Sequence, residues 1–334
     1  MKVRVAVIGG GSWGTTVAHL CAHNAPTVLY ARDAAVANVV NSTGENARYL
    51  PGRRLHPDLR ATADIADAAG GADAVVMAVP SHGFRDTLRL LRSHVAEWTP
   101  IVSLTKGLES HTCKRMTEVV ADELPGCPVG VLTGPNLAKE ILGGQAAAAV
   151  LAMAPADASL AEELRDVFCA GDFRVYTNTD VVGAEIAGAT KNVIALAAGI
   201  SDGLEAGDNT RAALITRGLA EVTRLGVALG GDPLTFAGLA GIGDIVATCV
   251  SVQSRNRHVG ERLGRGESIA EIVASMDQVA EGVKSTPVVA SLARSLGVDM
   301  PITEEVRAVI EDGRPAAAAY RALLDRPPTS ETRR

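Results

Sequence analysis

The chain has 334 residues, a length that predicts two domains. Hydrophobic residues make up 47% of the sequence and charged residues 21%, which is typical of a globular protein. The formal net charge of −6 disfavours nucleic acid or an anionic membrane surface as the main partner.

Five cysteines are scattered along the chain, and no two of them form a C-x-x-C pair. Such a set is typical of reduced thiols in a cytosolic protein and indicates no structural zinc. The first apolar run is broken by glycines, so it is interpreted as a strand and not as a secretory signal. The longest later run, 146–156, contains Pro155 and is too short to span a bilayer. We therefore predict a cytoplasmic protein without a metal site and without membrane insertion.

The first predicted elements are a strand over residues 2–8, a glycine turn and a helix over 15–24. Gly9, Gly11 and Gly14 stand in G-x-G-x-x-G register. This order of strand, glycine turn and helix is the phosphate-binding unit of a dinucleotide-binding fold. Gly9 would allow the tight turn, Gly11 the approach of the pyrophosphate, and Gly14 the packing of the helix. The free N–H groups at the start of the helix would then face the phosphates.

The second predicted strand, 27–31, is followed by Arg32 and Asp33. At this point of the fold an acid would bind the ribose 2′-hydroxyl of NAD, whereas an arginine would accommodate the 2′-phosphate of NADP. Because Arg32 comes first, the sequence favours NADPH, and NADH stays possible. The alternative is that Arg32 is only a surface charge.

Strands and helices alternate through the rest of the first half. Strands are predicted at 72–79, 101–104 and 129–132, and short apolar segments at 146–153 and 173–176 complete this half. Helices are predicted at 34–41, 81–93, 113–124, 138–140 and 156–169, with a loop at 42–60. The alternation predicts parallel βαβ units and an α/β, Rossmann-like, doubly wound domain over residues 1–178.

Strands nearly vanish after residue 178. Helices are predicted at 180–200, 210–229, 268–276, 285–296 and 303–311, with loop-rich segments at 203–209 and 239–253. In the second of these helices Ile215, Leu219 and Val222 lie on one face, as the 3.6-residue period requires. We predict an all-α domain over residues 179–325 and a disordered tail over 326–334.

Lys191 is the single basic residue in the apolar stretch 181–200, and Asn192 follows it. One interpretation is a lysine whose ammonium reaches the surface along an apolar stem. The other is a partly desolvated lysine that exchanges a proton with a substrate hydroxyl while hydride moves on a nicotinamide. Asn192 could then hold substrate oxygens or orient the lysine.

A second polar cluster, Ser-Arg-Asn-Arg at 254–257, follows the glycine-rich turn at 241–244. An arginine binds phosphate through two parallel hydrogen bonds, and an adjacent amide adds a donor. The alternative is the charged start of a helix, and Arg257 and His258 fit that alternative better.

Taken in order, these motifs resemble the bacterial type of NAD(P)-dependent glycerol-3-phosphate dehydrogenase over essentially the whole chain. The residues that carry the resemblance are 9–14, 105–107 (Thr-Lys-Gly), 134–136 (Gly-Pro-Asn), 191–193 (Lys-Asn-Val), 243–244 (Gly-Asp) and 254–257. The glycine turn alone is generic, whereas Lys106, Lys191 and Arg255 in this order are specific.

The resemblance implies that Lys191 accepts the proton when glycerol 3-phosphate is oxidised and donates it when dihydroxyacetone phosphate is reduced. The implied substrate-binding residues are Lys106, Gly134, Asn136, Asn192, Asp244, Ser254, Arg255 and Asn256. The implied cofactor-binding residues are Gly9, Gly11, Ser12, Trp13, Gly14, Arg32, Lys106, Ala138, Arg255 and Glu281.

Two stretches depart from the family pattern. The family usually has Ser or Thr and then Phe after Gly134-Pro135, whereas this chain has Asn136-Leu137; Asn136 can still donate a hydrogen bond. The stretch 277–282 has an acid where the family commonly has glycine, which bears only on the contacts near Glu281.

The resemblance implies reversible, NAD(P)H-dependent reduction of dihydroxyacetone phosphate to sn-glycerol 3-phosphate, which feeds glycerophospholipid synthesis, by a homodimer. Two alternatives stay open. A related two-domain keto-acid reductase would have less need of Arg255 and Asn256 as a phosphate site. A non-catalytic NAD(P)H-binding sensor would keep the glycine turn and Arg32 but would tolerate the loss of Lys191.

Overall fold

The computed structural model describes residues 3–276, 280–327 and 330. Positions 277–279 of the departing stretch, and 328–329 and 331–334 of the tail that is predicted to be disordered, lie outside the described residues. The chain forms two compact units. The first comprises the residues up to Ala189 together with Leu229–Asp244, and the second comprises Thr190–Ala228 and the residues from Ile245 onward. The predicted domain ranges 1–178 and 179–325 stay a prediction.

The first unit contains one sheet of eight strands. The strands are β1 (Val5–Ile8), β2 (Thr27–Tyr30), β3 (Arg60–Thr62), β4 (Ala74–Met77), β5 (Ile101–Ser103), β6 (Val129–Thr133), β7 (Ala147–Met153) and β8 (Phe173–Asn178). Their order in the sheet is β3-β2-β1-β4-β5-β6-β7-β8. The order reverses between β1 and β4, which is the topological switch point at which such sheets bind their ligands. The doubly wound, Rossmann-like prediction is confirmed.

Helices cover both faces of this sheet. They are α1 (Ser12–Ala22), α2 (Ala34–Thr43), α3 (Ile65–Ala69), α4 (Phe84–Leu91), α5 (Met116–Glu123), α6 (Ala138–Ile141) and α7 (Ala158–Phe168). Every residue of β1 and β4 is buried. A strand that is covered on both faces is apolar throughout and does not alternate, which explains the continuous runs of Val, Ala and Ile.

The remaining helices form the second unit, apart from the first turns of α8, the whole of α10 and the first residue of α11, which belong to the first unit. They are α8 (Val181–Gly203), α9 (Asp208–Ala228), α10 (Pro233–Phe236), α11 (Asp244–Val250), α12 (Arg255–Gly264), α13 (Ile269–Ala274), α14 (Glu281–Ser295), α15 (Pro301–Glu311) and α16 (Ala316–Leu324). The prediction of a helical second half is confirmed.

Some predicted elements differ from the structure. The pairing of β6 with β7 is antiparallel, although the alternation predicts parallel strands. A single helical turn, α6, joins the two strands, and an antiparallel pair needs no longer crossover. The segment predicted as loop at 239–253 contains a π-helical turn, Leu239–Gly243, and α11. Gly241 in this turn serves close packing, since a Cβ on it would meet the backbone of Phe236.

Four glycines let α8 and α12 cross with their backbones in contact. A Cβ on Gly260 would lie 2.9 Å from the nitrogen of Ile200 and 3.0 Å from the Cα of Gly199. A Cβ on Gly264 would lie 2.9 Å from the Cα of Gly203. Both helices therefore present a G-x-x-x-G face at which no side chain fits, and the spacing of the two helices is fixed by main-chain atoms.

Two segments of the described chain are long and apolar enough to cross a membrane by length and composition, namely α8 and Pro233–Val250. In the apolar window of α8, 89% of the residues are buried inside the protein, and in the second segment 44%. Glu185 and Lys191 interrupt the apolar sequence of α8, so the run 146–156 stays the longer uninterrupted apolar run in the sequence.

Candidate functional site

The glycine turn follows β1 at the switch point of the sheet. Gly9 has φ 128°, and a Cβ there would lie 2.5 Å from the carbonyl oxygen of Ala78. A Cβ on Gly14 would meet the carbonyl oxygen of Gly9, whereas a Cβ on Gly11 would meet no described atom within 4 Å. Gly11 also precedes α1, whose first N–H groups donate to no capping side chain among the described residues. The turn is closed toward the sheet and open at the helix start, so these residues fit a dinucleotide pyrophosphate.

A segment of the predicted loop at 42–60 is fastened to this turn. The buried side chain of Asn46 donates through Nδ2 to the Gly10 carbonyl oxygen (2.9 Å) and to Thr15 Oγ1 (2.8 Å). Ser12 Oγ donates to the carbonyl oxygen of Tyr49 at 3.3 Å. Sequence reasoning missed Asn46, because no periodicity or spacing within the loop distinguishes one polar residue from the next.

Arg32 and Asp33 lie at the carboxyl end of β2, as predicted from the sequence. Both are exposed. Asp33 is the N-cap of α2, where its Oδ1 accepts from the Ala35 N–H at 3.0 Å. Its Oδ2 lies 2.9 Å from Nη1 of Arg48. The carboxylate is therefore engaged on both oxygens by the protein itself.

Trp13 and Ala138 are the other predicted cofactor contacts of the first unit. The Trp13 ring packs edge-on against Phe173, with ring centroids 6.2 Å apart. Its Nε1 is buried and has no hydrogen-bond partner in the described chain. Ala138 is the first residue of α6. A buried donor without a protein partner is a group that a bound ligand can satisfy.

Lys106 is held at the carboxyl ends of β5 and β6. Its Nζ donates to the carbonyl oxygen of Gly134 at 2.8 Å and to Oδ2 of Asp244 at 2.6 Å. The Lys106 side chain is 12% exposed and that of Asp244 only 1%. Gly134 has φ 132°, a conformation that favours glycine. Three of the predicted substrate residues thus lie together within the first unit.

Asn136 follows directly after this group. Its Nδ2 and Oδ1 are both buried and make no hydrogen bond to a described residue, and the same holds for Oγ1 of nearby Thr133. Buried polar atoms are nearly always hydrogen-bonded in folded proteins, so three such atoms at or just beyond the end of β6 indicate a place for a polar ligand. Asn136 offers both a donor and an acceptor there, despite its departure from the family residue.

Lys191 lies on α8 and is only 7% exposed. Its Nζ donates to Oγ1 of Thr248 on α11 at 2.7 Å. This burial excludes the interpretation that Lys191 reaches the surface. Sequence reasoning missed Thr248, because the surrounding segment is predicted as loop.

Asn192 and Asn256 connect three helices of the second unit. Asn256 Nδ2 donates to Asn192 Oδ1 at 2.9 Å, and Asn256 Oδ1 accepts from the Gly282 N–H at 2.9 Å. Both asparagines are buried. Glu281, a predicted cofactor residue, begins α14 immediately before Gly282. The side chains of α8 and α12 and the start of α14 are therefore held in one hydrogen-bonded chain.

Arg255 begins α12 and is exposed, and Ser254 is the N-cap, accepting from the Arg257 N–H at 3.2 Å. Arg257 pairs with Asp202, Nε to Oδ2 at 2.7 Å. This ion pair agrees with the interpretation of Arg257 as a structural charge. Arg255 is the member of the cluster that faces solvent at the helix start.

Within the part of the chain that the structure describes, no group of three or more His, Cys, Asp or Glu side chains is placed to hold a metal ion. None of the five cysteines forms a disulfide bond within the described chain.

A Rossmann-like sheet with a glycine turn at its switch point, followed by a helical unit with a buried lysine, defines a nicotinamide-dependent oxidoreductase. Residues 4–159 match the family model for the N-terminal part of NAD-dependent glycerol-3-phosphate dehydrogenase, and residues 180–321 match the model for its C-terminal part. The chain belongs to the NAD-dependent glycerol-3-phosphate dehydrogenase family.

Similar proteins cover nearly the whole chain. Glycerol-3-phosphate dehydrogenase (NAD(P)+) 2 of Sphingopyxis alaskensis is 57% identical over 324 residues, which is 97% of either protein. Glycerol-3-phosphate dehydrogenase (NAD(P)+) 1 of Mycobacterium tuberculosis is 53% identical over 329 residues, 98% of this chain and 96% of that protein. The crystal structure of glycerol-3-phosphate dehydrogenase from Coxiella burnetii is similar with a TM-score of 0.93 at 36% identity, covering 97% of this chain and 99% of that one.

Proposed function

We propose that this protein catalyses the reversible reduction of dihydroxyacetone phosphate to sn-glycerol 3-phosphate with a nicotinamide cofactor. The relatives that are 57% and 53% identical carry the name of this activity. The observation that carries the mechanism is the buried Lys191, held by Thr248 and followed by Asn192. The keto-acid reductase and the non-catalytic sensor are not favoured, because the family match extends over both halves of the chain.

Lys191 is proposed to move the proton. The bound cofactor supplies hydride for the reduction and accepts it in the oxidation. Lys191 donates a proton to the substrate oxygen during reduction and accepts it from the hydroxyl during oxidation. Thr248 Oγ1 fixes one of the three N–H directions of the ammonium, so the amine is oriented before the substrate binds.

Arg255 and Asn256 are proposed to bind the substrate phosphate, with Ser254 beside them. Arg255 is an exposed residue, and a guanidinium suits two oxygens of a phosphate. Asn256 is held by Asn192 and by the Gly282 N–H, so its amide is positioned without the substrate. Such pre-organisation reduces the entropy that is lost on binding.

Lys106, Gly134, Asn136 and Asp244 are proposed to bind substrate through the first unit. Asp244 holds the Lys106 ammonium in a fixed direction and balances its charge where little water reaches it. The two unpartnered polar atoms of Asn136 would bond substrate oxygens. Lys106 would in addition touch the cofactor.

The cofactor is proposed to be NADPH, with NADH as the weaker alternative. The glycines at 9, 11 and 14 would hold the pyrophosphate, and Arg32 would face the 2′-phosphate. Ser12, Trp13, Ala138, Arg255 and Glu281 are the further proposed contacts.

The location, oligomeric state and metabolic role of the enzyme are also proposals. We infer a cytoplasmic homodimer that supplies sn-glycerol 3-phosphate for glycerophospholipid synthesis and uses neither nucleic acid nor membrane insertion. The net charge of −6 supports the exclusion of polyanionic partners. Light scattering of the purified protein tests the dimer, and a monomeric mass would contradict it.

The decisive experiment is a turnover assay of the purified protein. We expect NADPH oxidation that requires dihydroxyacetone phosphate and yields sn-glycerol 3-phosphate, with a slower rate for NADH. Unphosphorylated dihydroxyacetone and a 2-keto acid are the control substrates. Turnover of the keto acid in place of dihydroxyacetone phosphate would establish the reductase alternative, and NADPH binding without any turnover would establish the sensor.

A further inference from the structure

An acid follows β2 in this chain although the proposed cofactor carries a 2′-phosphate. An aspartate at this point, if unpaired, would bind a ribose 2′-hydroxyl and repel a phosphate. In the structure Asp33 Oδ1 caps α2 and Oδ2 pairs with Arg48 Nη1 at 2.9 Å. The acid is thus withdrawn from ligand binding by two contacts within the protein.

Arg48 reaches Asp33 because its segment is anchored on the dinucleotide turn. Asn46 donates to the Gly10 carbonyl oxygen and to Thr15, and Ser12 donates to the Tyr49 carbonyl oxygen. These bonds hold the residues on either side of Arg48 in the sequence. The Arg48 guanidinium also lies over the Tyr49 ring, 5.4 Å from its centroid. The position of Arg48 beside β2 is therefore set by contacts to the phosphate-binding turn.

The charged side chains near the carboxyl end of β2 favour the binding of an anion only when Arg48 is included. Arg32 and Asp33 alone sum to zero, and Arg48 makes the group positive. The side chains of Arg48 and Asp33 are 62% and 52% exposed, so their ion pair contributes little to folding stability. A guanidinium has five N–H donors, and the pair with Asp33 leaves donors of the fork for a phosphate.

We propose that Arg48 determines cofactor specificity: it neutralises Asp33 and, together with Arg32, binds the adenosine 2′-phosphate of NADPH. This inference rests on the proposed preference for NADPH. It attributes that preference in part to a residue that does not belong to the end of β2. It also explains how an acid is tolerated at position 33. The pair Arg48–Asp33 would act as one unit, so the two residues should not be independent on substitution.

Calorimetric binding of adenosine 2′,5′-bisphosphate and of 5′-AMP to the full-length protein tests the proposal, because the two ligands differ by the 2′-phosphate. The variant Arg48→Ala should weaken binding of the bisphosphate by roughly 10- to 100-fold, the loss typical of a charged hydrogen bond. Binding of 5′-AMP should stay within about twofold, because that ligand lacks the contact. Arg60→Ala removes a comparably exposed ion pair, with Asp67, at the amino end of β3 and is the matched control.

The double variant Asp33→Asn/Arg48→Ala separates the two roles of Arg48. Asn still caps α2 but carries no charge, so the double variant should bind the bisphosphate more tightly than Arg48→Ala alone. Equal binding of the bisphosphate by Arg48→Ala and Arg60→Ala would overturn the proposal, and so would an equal loss for both ligands.

Measurements on the wild-type protein distinguish a failure of this proposal from a failure of the proposed function on which it rests. If the wild type binds both ligands equally, the NADPH preference fails, and the proposal fails with it. If the wild type prefers the bisphosphate and Arg48→Ala keeps that preference, only the role of Arg48 fails. If Arg48→Ala loses the preference while the wild type does not reduce dihydroxyacetone phosphate, the role of Arg48 stands and the proposed reaction fails.

Discussion

Lys191 combines burial with a hydrogen bond to Thr248, and this arrangement makes its removal informative. We expect Lys191→Ala to lower kcat by roughly 100-fold or more, the scale of lost general acid–base catalysis. Lys284→Ala, at an exposed position of α14, is the matched control and should keep its rate. Steady-state kinetics with dihydroxyacetone phosphate measures both variants, and near-normal turnover of Lys191→Ala would remove it from the mechanism.

Arg255 is expected to act on substrate affinity and not on the chemical step. Arg255→Ala should raise the KM for dihydroxyacetone phosphate by roughly 10- to 100-fold, because one charged hydrogen bond to phosphate is lost. Arg265→Ala, which follows the same helix and is 62% exposed, should leave KM unchanged. If Arg255→Ala keeps the KM of the wild type, the phosphate lies elsewhere.

At the scale of single residues, candidate site residues can be predicted from the sequence where their polarity marks them out along the chain. Lys191 could be found because it is a charge within an apolar helix, and Arg255 because it lies in a dense polar cluster. Thr248, Asn46 and Arg48 could not be found. Their proposed roles depend on which atoms they contact in three dimensions, and neither composition nor spacing reveals those contacts.

At the scale of elements, Glu185 connects the first turns of α8 to α5. The buried carboxylate accepts from the Thr117 N–H and from Arg115 Nη1, both at 3.0 Å, and it also bonds Thr117 Oγ1. Burial raises the pKa of Glu185, and Arg115 opposes this shift. The carboxylate is thus the common acceptor for three donors at the start of α5.

Removing this carboxylate leaves Arg115 without its buried partner. We expect Glu185→Ala to lower the free energy of unfolding by about 3–5 kcal/mol. Glu118→Ala removes the more exposed acid that pairs with the same arginine and should change it by less than about 1 kcal/mol. Chemical denaturation measures both variants. Equal losses of unfolding free energy would show that the ion pair of Arg115 with Glu185 contributes no more than the pair with Glu118.

At the crossing of α8 and α12, substitution of a glycine by alanine should affect stability in the opposite direction to the one that helix propensity predicts. Propensity alone predicts that Gly260→Ala stabilises a helix by about 1 kcal/mol. Here the added methyl group would meet the backbone of α8, so we expect the thermal midpoint to fall. Gly83→Ala, where a Cβ would meet no described atom within 4 Å, is the control. A raised midpoint for Gly260→Ala would show that the helices separate without penalty.

Strands of the central sheet could be predicted because they are continuous apolar runs with breakers on both sides. The antiparallel direction of β7, the helix α11 and the short strand β3 could not be predicted. In a sequence, glycine indicates a break in a helix, yet in the π-helical turn before α11 Gly241 permits close packing. Strand direction depends on how the chain returns to the sheet, which a local pattern does not contain.

At the scale of the whole molecule, stability should depend on pH through Glu221 on α9. Its buried carboxylate accepts from the Ile302 N–H at 2.6 Å and the Thr303 N–H at 3.2 Å, at the start of α15. Burial raises the pKa of Glu221 from 4.5 to about 7, although these hydrogen bonds oppose the shift. Between these two values the folded protein holds a proton that the unfolded chain has released.

The contribution of Glu221 is complete below pH 4.5 and is lost as the pH rises to about 7. The loss amounts to about 3 kcal/mol of unfolding free energy. Glu221→Gln should lack this decrease, whereas Glu163→Gln, at an exposed position, should show it in full. Denaturation at several pH values between 4.5 and 7 checks this, and parallel curves for wild type and Glu221→Gln would contradict it.

The division into a sheet-containing part and a helical part could be predicted for the whole chain, because strand patterns stop near residue 178. The boundaries of the compact units could not. Residues 229–244 return to the first unit after α9, and a return of this kind leaves no mark on local composition.

The apolar composition of α8 also has a consequence while the chain is being synthesised. Its 23 residues are apolar enough to cross a bilayer, yet the glycines of α12 that cover part of it lie some 60 residues later. At a synthesis rate of 5–20 residues per second, α8 waits roughly 3–12 s for that partner. Lys191 near its middle opposes insertion into lipid by about 2.5–3.5 kcal/mol. The residue proposed to move the proton would thereby also protect the nascent chain from the translocation machinery.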